Sequence, residues 1–194
     1  MVCAIGSLAQ AQWFSGATAG IATLTGDSAT SINAARTGIS LYQPANGPAL
    51  QVFAGKHVRE YFSFQAAYSF NRNNYNLTTL DQTASSENSF TQSRRLRQDA
   101  LGVDGLIYFR PRSSRVRPYV SGGLGWIHLS SSLRETQISK GNPTLPANTF
   151  SSNKPYWRTA VGMDIRLKPG WQFRYTFWET VSSNTLSSQL RPQG

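Results

Sequence analysis

The sequence has almost no cysteine, few acidic residues and no long apolar run. One cysteine, Cys3, excludes an intrachain disulfide. Nothing in the 194 residues approaches the roughly 18 consecutive apolar residues that a membrane-spanning helix needs, so a helical membrane protein is excluded. The low mean hydropathy of -0.36 does not exclude a membrane barrel, because only alternate residues of a barrel strand face lipid.

Nine acidic residues stand against nineteen basic ones, which gives a formal net charge of +10. Such a charge favours an anionic partner, and composition alone fits nucleic acid and phosphorylated lipid headgroups equally well. A nucleic-acid surface needs basic and stacking aromatic side chains on one exposed face. Here the aromatic residues alternate with the mid-strand arginines and lie on the opposite face, so we expect no nucleic-acid partner.

The N-terminal segment "MVCAIGSLAQAQ" has small and apolar residues followed by Ala9-Gln10-Ala11, an A-x-A cleavage pattern. This pattern predicts that residues 1–11 are the remnant of a secretory signal peptide. An ordinary frayed terminus is the alternative. The remaining residues, 12–194, are then predicted to form one domain.

Seven segments alternate apolar and polar residues with a period of two, which is typical of β-strands. Each has roughly ten residues or more, longer than the five or six of most globular strands and long enough for a tilted strand to cross a bilayer. No segment has a convincing helical pattern. The predicted strands are Trp13–Leu24, Pro48–Val58, Tyr61–Arg72, Asp99–Arg110, Val116–Leu129, Tyr156–Leu167 and Trp171–Thr180.

The connections between these strands alternate between short and long. Short ones fall at residues 59–60, 111–115 and 168–170, and long polar stretches fall at residues 25–47, 73–97 and 130–155. In an antiparallel barrel all the short connections lie at one end, as the periplasmic turns of outer-membrane barrels do. The long stretches are therefore predicted to be mobile outer loops.

Charged residues decide which strand face lies inside. They occur mid-strand beside Gly, Ser and Thr, whereas the opposite faces carry Phe, Trp, Val, Ile and Leu. A soluble lipocalin-like barrel would expose the polar faces to water, and an outer-membrane barrel would enclose them. Because opposite charges can pair in a narrow lumen, we predict a luminal charge network of Asp104, Arg158, Asp164, Arg166 and Arg174.

Three stretches resemble a known family. "RPYVSGGLGW" (residues 117–126), "VFAGKHVREYFSFQAAYSF" (52–70) and "WRTAVGMDIRLKPGWQFRYTFWE" (157–179) look like the small outer-membrane β-barrels of Gram-negative bacteria, which include the transmembrane domain of outer-membrane protein A and the opacity-type porins. The resemblance implies an all-β, antiparallel, up-and-down transmembrane barrel of the eight-stranded type. Since seven strands are readable, we expect the closing strand to be missing and the domain to be incomplete at its C-terminus.

One alternative function in the same fold is a lipid-modifying hydrolase. Lipid A deacylases are similar barrels that use a His and a nearby Ser with an acid. His128, Ser130 and Glu179 are the matching candidates near the outer strand ends, and a serine hydroxyl needs such a base to act as a nucleophile. Serine is abundant in this chain, however, so a rim histidine beside a Ser-rich loop is the simpler interpretation.

Arginines near the strand ends are candidates for binding lipid headgroups through charge-assisted hydrogen bonds. Arg94, Arg95 and Arg97 are expected at the outer rim, facing lipopolysaccharide phosphates, and Arg112 and Arg115 at a periplasmic turn. Solvated loop charge is an equally good interpretation.

Together these patterns predict a non-enzymatic, monomeric protein of the bacterial outer membrane with a structural, adhesive or minor-pore role. The expected partners are outer-membrane lipids, lipopolysaccharide and the outer-membrane assembly machinery. No cofactor or metal site is expected, because no metal-ligand cluster or Gly-rich phosphate loop is apparent in the sequence.

Overall fold

The structure is a computed structural model that describes residues 4–6, 13–25, 27–33, 36–83 and 86–183. Regular structure in these ranges is entirely β-strand, and no helix there is long and apolar enough to cross a membrane. The strands are β1 (Ala4–Gly6), β2 (Trp13–Ala22), β3 (Asp27–Asn33), β4 (Arg36–Pro44), β5 (Gly47–His57), β6 (Phe62–Thr83), β7 (Glu87–Tyr108), β8 (Val116–Lys140), β9 (Thr149–Lys168) and β10 (Trp171–Ser182).

Eight of these strands form a closed antiparallel barrel. Their order around the wall is β6-β5-β2-β1-β10-β9-β8-β7, and β7 pairs back with β6. The hairpin of β3 and β4 is added outside this circuit, where β4 pairs with the distal half of β6. The predicted all-β, up-and-down barrel of the eight-stranded type is confirmed.

The structure corrects one detail of that prediction, because the eighth position of the wall is occupied. The three-residue strand β1 pairs with Trp171–Phe173 of β10 on one side and with Ser15 and Gly16 of β2 on the other. A strand this short carries no readable period-two pattern, so it was hidden in the segment interpreted as a signal remnant. That interpretation itself stays a prediction, since residues 1–3 and 7–12, like the C-terminal residues 184–194, lie outside the described ranges.

The apolar faces of the barrel strands point outward. Phe64, Val103 and Phe177 are 48%, 54% and 68% exposed, whereas Asp104 and Arg174 on the alternate positions are each 2% exposed. A soluble lipocalin-like barrel would have the opposite arrangement. On β6 the outward apolar positions run over nine residues, from Phe62 to Phe70, which at a tilt near 40° spans about 23 Å, close to the ~25 Å apolar band of outer-membrane barrels.

Beyond this band the polarity of the wall inverts. On β6 the outward residues Arg72, Asn74 and Asn76 are exposed and polar, while Tyr75 and Leu77 on the alternate positions are buried inside. The buried residues of this distal part form an apolar cluster of Tyr42, Tyr75, Leu77, Phe90, Leu96 and Leu129. An apolar interior with a polar exterior is the arrangement of a water-soluble sheet, so this part projects from the membrane.

We call this distal part of β6, β7 and β8, together with β3 and β4, the outer extension. It corrects the prediction of three long polar loops, because each predicted loop contributes strands to it. β6 continues for eleven residues beyond Arg72, which is roughly 28 Å at the same tilt. Its polar outward residues concealed the sparse inward apolar ones, and so the alternation was missed in the sequence.

The short connections lie together at the other end of the barrel. They join β5 to β6, β7 to β8 and β9 to β10, as predicted from the sequence. The last of them turns at Gly170, whose φ of 79° lies in the left-handed region that glycine adopts without strain. The outer extension and the short turns therefore mark opposite sides of the apolar band.

Candidate functional site

Four of the five residues of the predicted luminal network meet inside the barrel. Asp104 lies on β7, Arg158 and Asp164 on β9, and Arg174 on β10, all at inward positions with 2–3% exposure. The period-two alternation places them there, because each sits between two outward apolar or small neighbours. Arginine and aspartate are almost never buried to this extent unless they are paired.

The four residues form two bidentate ion pairs. Arg158 donates to both carboxylate oxygens of Asp104, with its Nε 3.0 Å from Oδ1 and its Nη2 2.5 Å from Oδ2. Arg174 binds Asp164 in the same way, with Nε 2.7 Å from Oδ1 and Nη2 2.8 Å from Oδ2. The parallel donors of a guanidinium match a carboxylate in this geometry, which makes these pairs the strong kind.

Two residues that the sequence analysis did not select extend these pairs: Gln65 links the two pairs, and Tyr108 bonds to one of them. Gln65 donates from Nε2 to Asp104 Oδ2 at 3.2 Å and accepts from Arg174 Nη1 at 2.9 Å. The Tyr108 hydroxyl donates to Asp164 Oδ2 at 2.9 Å. Both occupy inward positions of the alternation, which is the sequence signal that identifies them.

Aromatic rings and a missing side chain complete the packing around the network. The Arg174 guanidinium lies 4.5 Å from the ring centre of Phe53 and 5.1 Å from that of Tyr119. Gly123 is the strand neighbour of both Asp104 and Arg158, and a Cβ there would clash with Asp104 Oδ1. Glycine is therefore required at this position, because a larger residue would collide with both the Asp104 side chain and the Val103 backbone.

The fifth predicted member, Arg166, lies elsewhere. Its guanidinium donates to the backbone carbonyls of Arg112 and Ser113 in the connection between β7 and β8. Arg166 follows Asp164 by two residues, so it shares the inward face but sits at the barrel end rather than in the lumen. It ties two neighbouring strand ends together instead of pairing with a carboxylate.

A cavity of about 890 Å³ lies on the distal side of the network. Inward residues that line it include Ala49, Ile127, Thr176 and Trp178. Leu129 joins the cavity to the apolar cluster of the outer extension.

The three predicted rim arginines have three different environments. The prediction that Arg94 binds lipid headgroups is wrong, because its side chain points into the outer extension, has no exposed surface and cannot reach lipid. Its Nε donates to Gln92 at 2.9 Å and its Nη2 to the Ala147 carbonyl at 2.5 Å. Burial lowers the pKa of Arg94, while the nearby Tyr75 opposes this shift.

Arg97 faces outward but is neutralised by an acid on its own strand. Its Nε lies 2.7 Å from Asp99 Oδ2, and its guanidinium is 5.2 Å from the ring centre of Phe70. Arg95 also faces outward, and among the described residues no acid forms an ion pair with it. Partial desolvation, followed by the positive charges of Arg134 and then Arg72, lowers the pKa of Arg95.

The predicted arginines at the inner end lie at the turn between β7 and β8. Arg112 donates to the Arg59 carbonyl at 2.7 Å, and its backbone amide donates to Glu60. Arg115 is exposed on the same turn, and its carbonyl accepts the Arg166 amide at 2.7 Å. Arg112 thus links two inner turns, whereas the Arg115 side chain is open to its surroundings.

The three residues considered for hydrolase chemistry are not brought together. His128 faces outward and its Nδ1 lies 2.7 Å from Asn153 Oδ1. Glu179 pairs in register with Thr159, six residues further along β9 than Asn153, which separates it from His128 by about 20 Å along that strand. A general base must lie within hydrogen-bond reach of its nucleophile and its orienting acid, and these residues do not form that arrangement.

In the part of the chain that the structure describes, no group of three or more His, Cys, Asp or Glu side chains is placed to hold a metal ion.

Comparison with known proteins gives one match. The sequence matches the family described as "Outer membrane protein beta-barrel domain" over residues 1–189. No curated protein and no solved structure matches it.

Proposed function

This chain belongs to the outer membrane protein beta-barrel domain family and lies in the bacterial outer membrane, and we propose that it serves there as a closed, non-enzymatic barrel. In this proposal the barrel anchors the outer extension at the cell surface, where it contributes to envelope structure and to contact with other surfaces. The inversion of polarity along β6, β7 and β8 carries the proposal.

The side chains in the lumen support the proposal that the barrel is closed to permeation. An eight-stranded barrel is just wide enough for its side chains to fill it. Here Gln65 joins two arginine–aspartate pairs, and Tyr108 adds a hydrogen bond to Asp164 in the same group of inward side chains. Such a group argues for a plug that holds the barrel together rather than for a conducting path.

The support from the outer extension concerns surface contact. A flexible loop loses conformational entropy when it binds, whereas a strand that is already paired loses little. The β6–β7 hairpin is paired in register from Phe62 to Gln82, and the apolar cluster fills its interior. The extension therefore suits the presentation of a fixed, polar surface.

Conductance through planar bilayers tests the closed barrel. The wild-type chain is expected to give no resolvable current steps, and a triple variant, Gln65→Ala, Asp104→Ala and Arg158→Ala, is expected to open a measurable pathway. Arg166→Ala is the matched control, because it removes an arginine outside the network and should stay closed. Steady wild-type conductance would refute the proposal.

Display on bacterial cells tests the surface role. Cells that carry the wild-type chain are compared with cells that carry a chain lacking residues 74–95, in which the β6–β7 hairpin ends near the apolar band. Adhesion to abiotic or host-like surfaces is expected to fall with the shortened hairpin while the amount of folded barrel is unchanged. Equal adhesion of both strains would leave the barrel with an envelope-structural role alone.

A further inference from the structure

Three arginines stand together on the outward side of the barrel, beyond the apolar band, and only one of them, Arg95, was selected from the sequence. Arg72 on β6, Arg95 on β7 and Arg134 on β8 lie on adjacent strands. Arg72 pairs with Arg97, two residues from Arg95, so Arg72 and Arg95 are diagonal neighbours with Cβ atoms about 5–8 Å apart. We call these three residues the outer arginine triad.

A β-bulge lies at the third arginine of this row. The register between β7 and β8 shifts at Ser93 and Arg94, so that Arg134 is the extra residue between Leu133 and Glu135. Arg134 continues the outward alternation of β8, and the bulge leaves Glu135 beside it exposed as well. The alternation of β7 continues unbroken past this point, with Arg94 on the inward face and Arg95 on the outward face.

Within the described ranges no carboxylate forms an ion pair with any member of the triad. Asp99 is bound by Arg97, and Glu135 accepts a hydrogen bond from Gln137 at 3.1 Å. Three like charges on adjacent strands repel one another, and after desolvation the positive charges of Arg134 and Arg72 lower the pKa of Arg95 further. An unneutralised cluster of this kind gains stability from an external anion.

The position of the triad along the barrel axis indicates which kind of anion it binds. The outward residues Phe70 and Leu101 end the apolar band on β6 and β7; Arg72 lies two residues beyond Phe70, and Arg95 lies six residues beyond Leu101. Charged headgroups lie at that level when the band is in the bilayer. We propose that the outer arginine triad binds the phosphate groups of an outer-leaflet glycolipid whose acyl chains lie against the adjoining apolar face.

Guanidinium groups suit this ligand because they bind phosphate through paired donors and are weakly hydrated. A glycolipid with two phosphates offers enough acceptors for three arginines. The acyl chains add contact with outward residues such as Leu101 and Phe70, which a free phosphate cannot make. The proposal rests on the proposed function only in requiring the outer extension to lie on the outer side of the membrane.

The test uses the full chain folded in zwitterionic detergent and titrated with lipid A, with bound lipid counted by native mass spectrometry. Bisphosphorylated lipid A is expected to bind at least about tenfold more tightly than its dephosphorylated counterpart, given the strength of charge-assisted hydrogen bonds. The triple variant Arg72→Gln, Arg95→Gln and Arg134→Gln should lose this difference. Each single variant should lose about three- to tenfold.

Arg110→Gln with Arg115→Gln is the matched control, because it removes two exposed arginines at the opposite end of the barrel and should keep the selectivity. Inorganic pyrophosphate is the second probe and is expected to bind far more weakly than bisphosphorylated lipid A. Equally tight pyrophosphate binding would overturn the glycolipid assignment. A triple variant that stays within twofold of wild type would overturn the triad itself.

The result of the lipid-binding experiment is independent of the conductance test of the closed barrel. Binding in detergent does not depend on whether the lumen conducts, and the triad side chains lie outside the luminal network. Loss of selectivity with normal folding, shown by unchanged heat-modifiable gel migration, supports the triad whatever the conductance measurement gives. Selective binding that the triple variant retains would refute the triad and leave the closed barrel intact.

Discussion

Removing Arg174 should destabilise the barrel more than removing any other inward arginine. Its guanidinium makes two hydrogen bonds to Asp164, one to Gln65 at 2.9 Å and one to Tyr108 at 3.2 Å. Arg174→Met keeps the apolar part of the side chain and leaves the Asp164 carboxylate with Tyr108 alone. Breaking a buried pair by removing one partner costs about 3–5 kcal/mol, because the remaining charge is uncompensated.

The same argument predicts a partial rescue. In Arg174→Met with Asp164→Leu no charge is left behind, so the loss should shrink to about 1–2 kcal/mol, which reflects the unsatisfied polar atoms of Gln65 and Tyr108. Arg166→Met is the control from the same sequence face. It gives up only bonds to backbone carbonyls at the barrel end, which is worth about 1 kcal/mol.

The assay is urea unfolding in lipid vesicles, followed by tryptophan fluorescence and by the heat-dependent shift of the folded barrel on gels. Free energies of unfolding from wild type, the two single variants and the double variant give the coupling between Arg174 and Asp164. A loss of less than about 1 kcal/mol for Arg174→Met, or no rescue in the double variant, would refute the reasoning that the luminal pairs are dry and mutually dependent.

Three further outcomes follow from particular positions. Gly123→Ala should hinder folding, because the new Cβ would collide with Asp104 and the Val103 backbone. Gly122→Ala should fold normally, because a Cβ there meets no other atom within 4 Å. Equal folding yields of the two variants would contradict this prediction. Leu96→Ala should destabilise the apolar cluster by about 2–5 kcal/mol and speed hydrogen exchange in the outer extension. Leu80→Ala, at an outward position, should leave the exchange rate unchanged. Similar exchange in both variants would count against an apolar interior. In a variant that keeps Trp157 as its one tryptophan, brominated acyl chains should quench the fluorescence strongly, since this side chain faces outward at the band, and an unquenched signal would contradict the orientation of the wall.

The transmembrane part of the fold could be predicted from the sequence because its alternation is strong on both faces. At Phe64 and Gln65, for example, neighbouring residues differ in polarity and in side of the wall, and the structure places them accordingly. The alternation alone could not predict which inward residues belong to the luminal network. Arg166 and Arg174 share an inward face, and only the position along the barrel axis separates a turn contact from a luminal ion pair.

The outer extension could not be predicted because its inward positions are mixed. Tyr75 and Leu77 are apolar, but Asn73 and Thr79 on the same inward face are polar and also buried. Pairing with neighbouring strands satisfies the backbone of such segments and makes them strands despite weak local preference. The prediction for Arg94 was wrong for a related reason, since residues 73–97 were interpreted as a loop and the alternation that places Arg94 inward and Arg95 outward was not followed into that segment.

The inversion of polarity also explains why charge collects where it does. In the apolar band every outward position must suit hydrocarbon, so charge is confined to the lumen, where Arg158 and Arg174 each pair with an aspartate. Beyond the band the exterior meets headgroups and water, and Arg72 and Arg95 stand outward without acidic partners among the described residues. The ion pairs of the lumen and the unpaired outer arginines therefore have one cause, the height at which hydrocarbon ends. Lengthening the apolar band past that height, by Arg72→Leu with Arg95→Leu, should lower the preference for phosphorylated lipid without changing the luminal pairs.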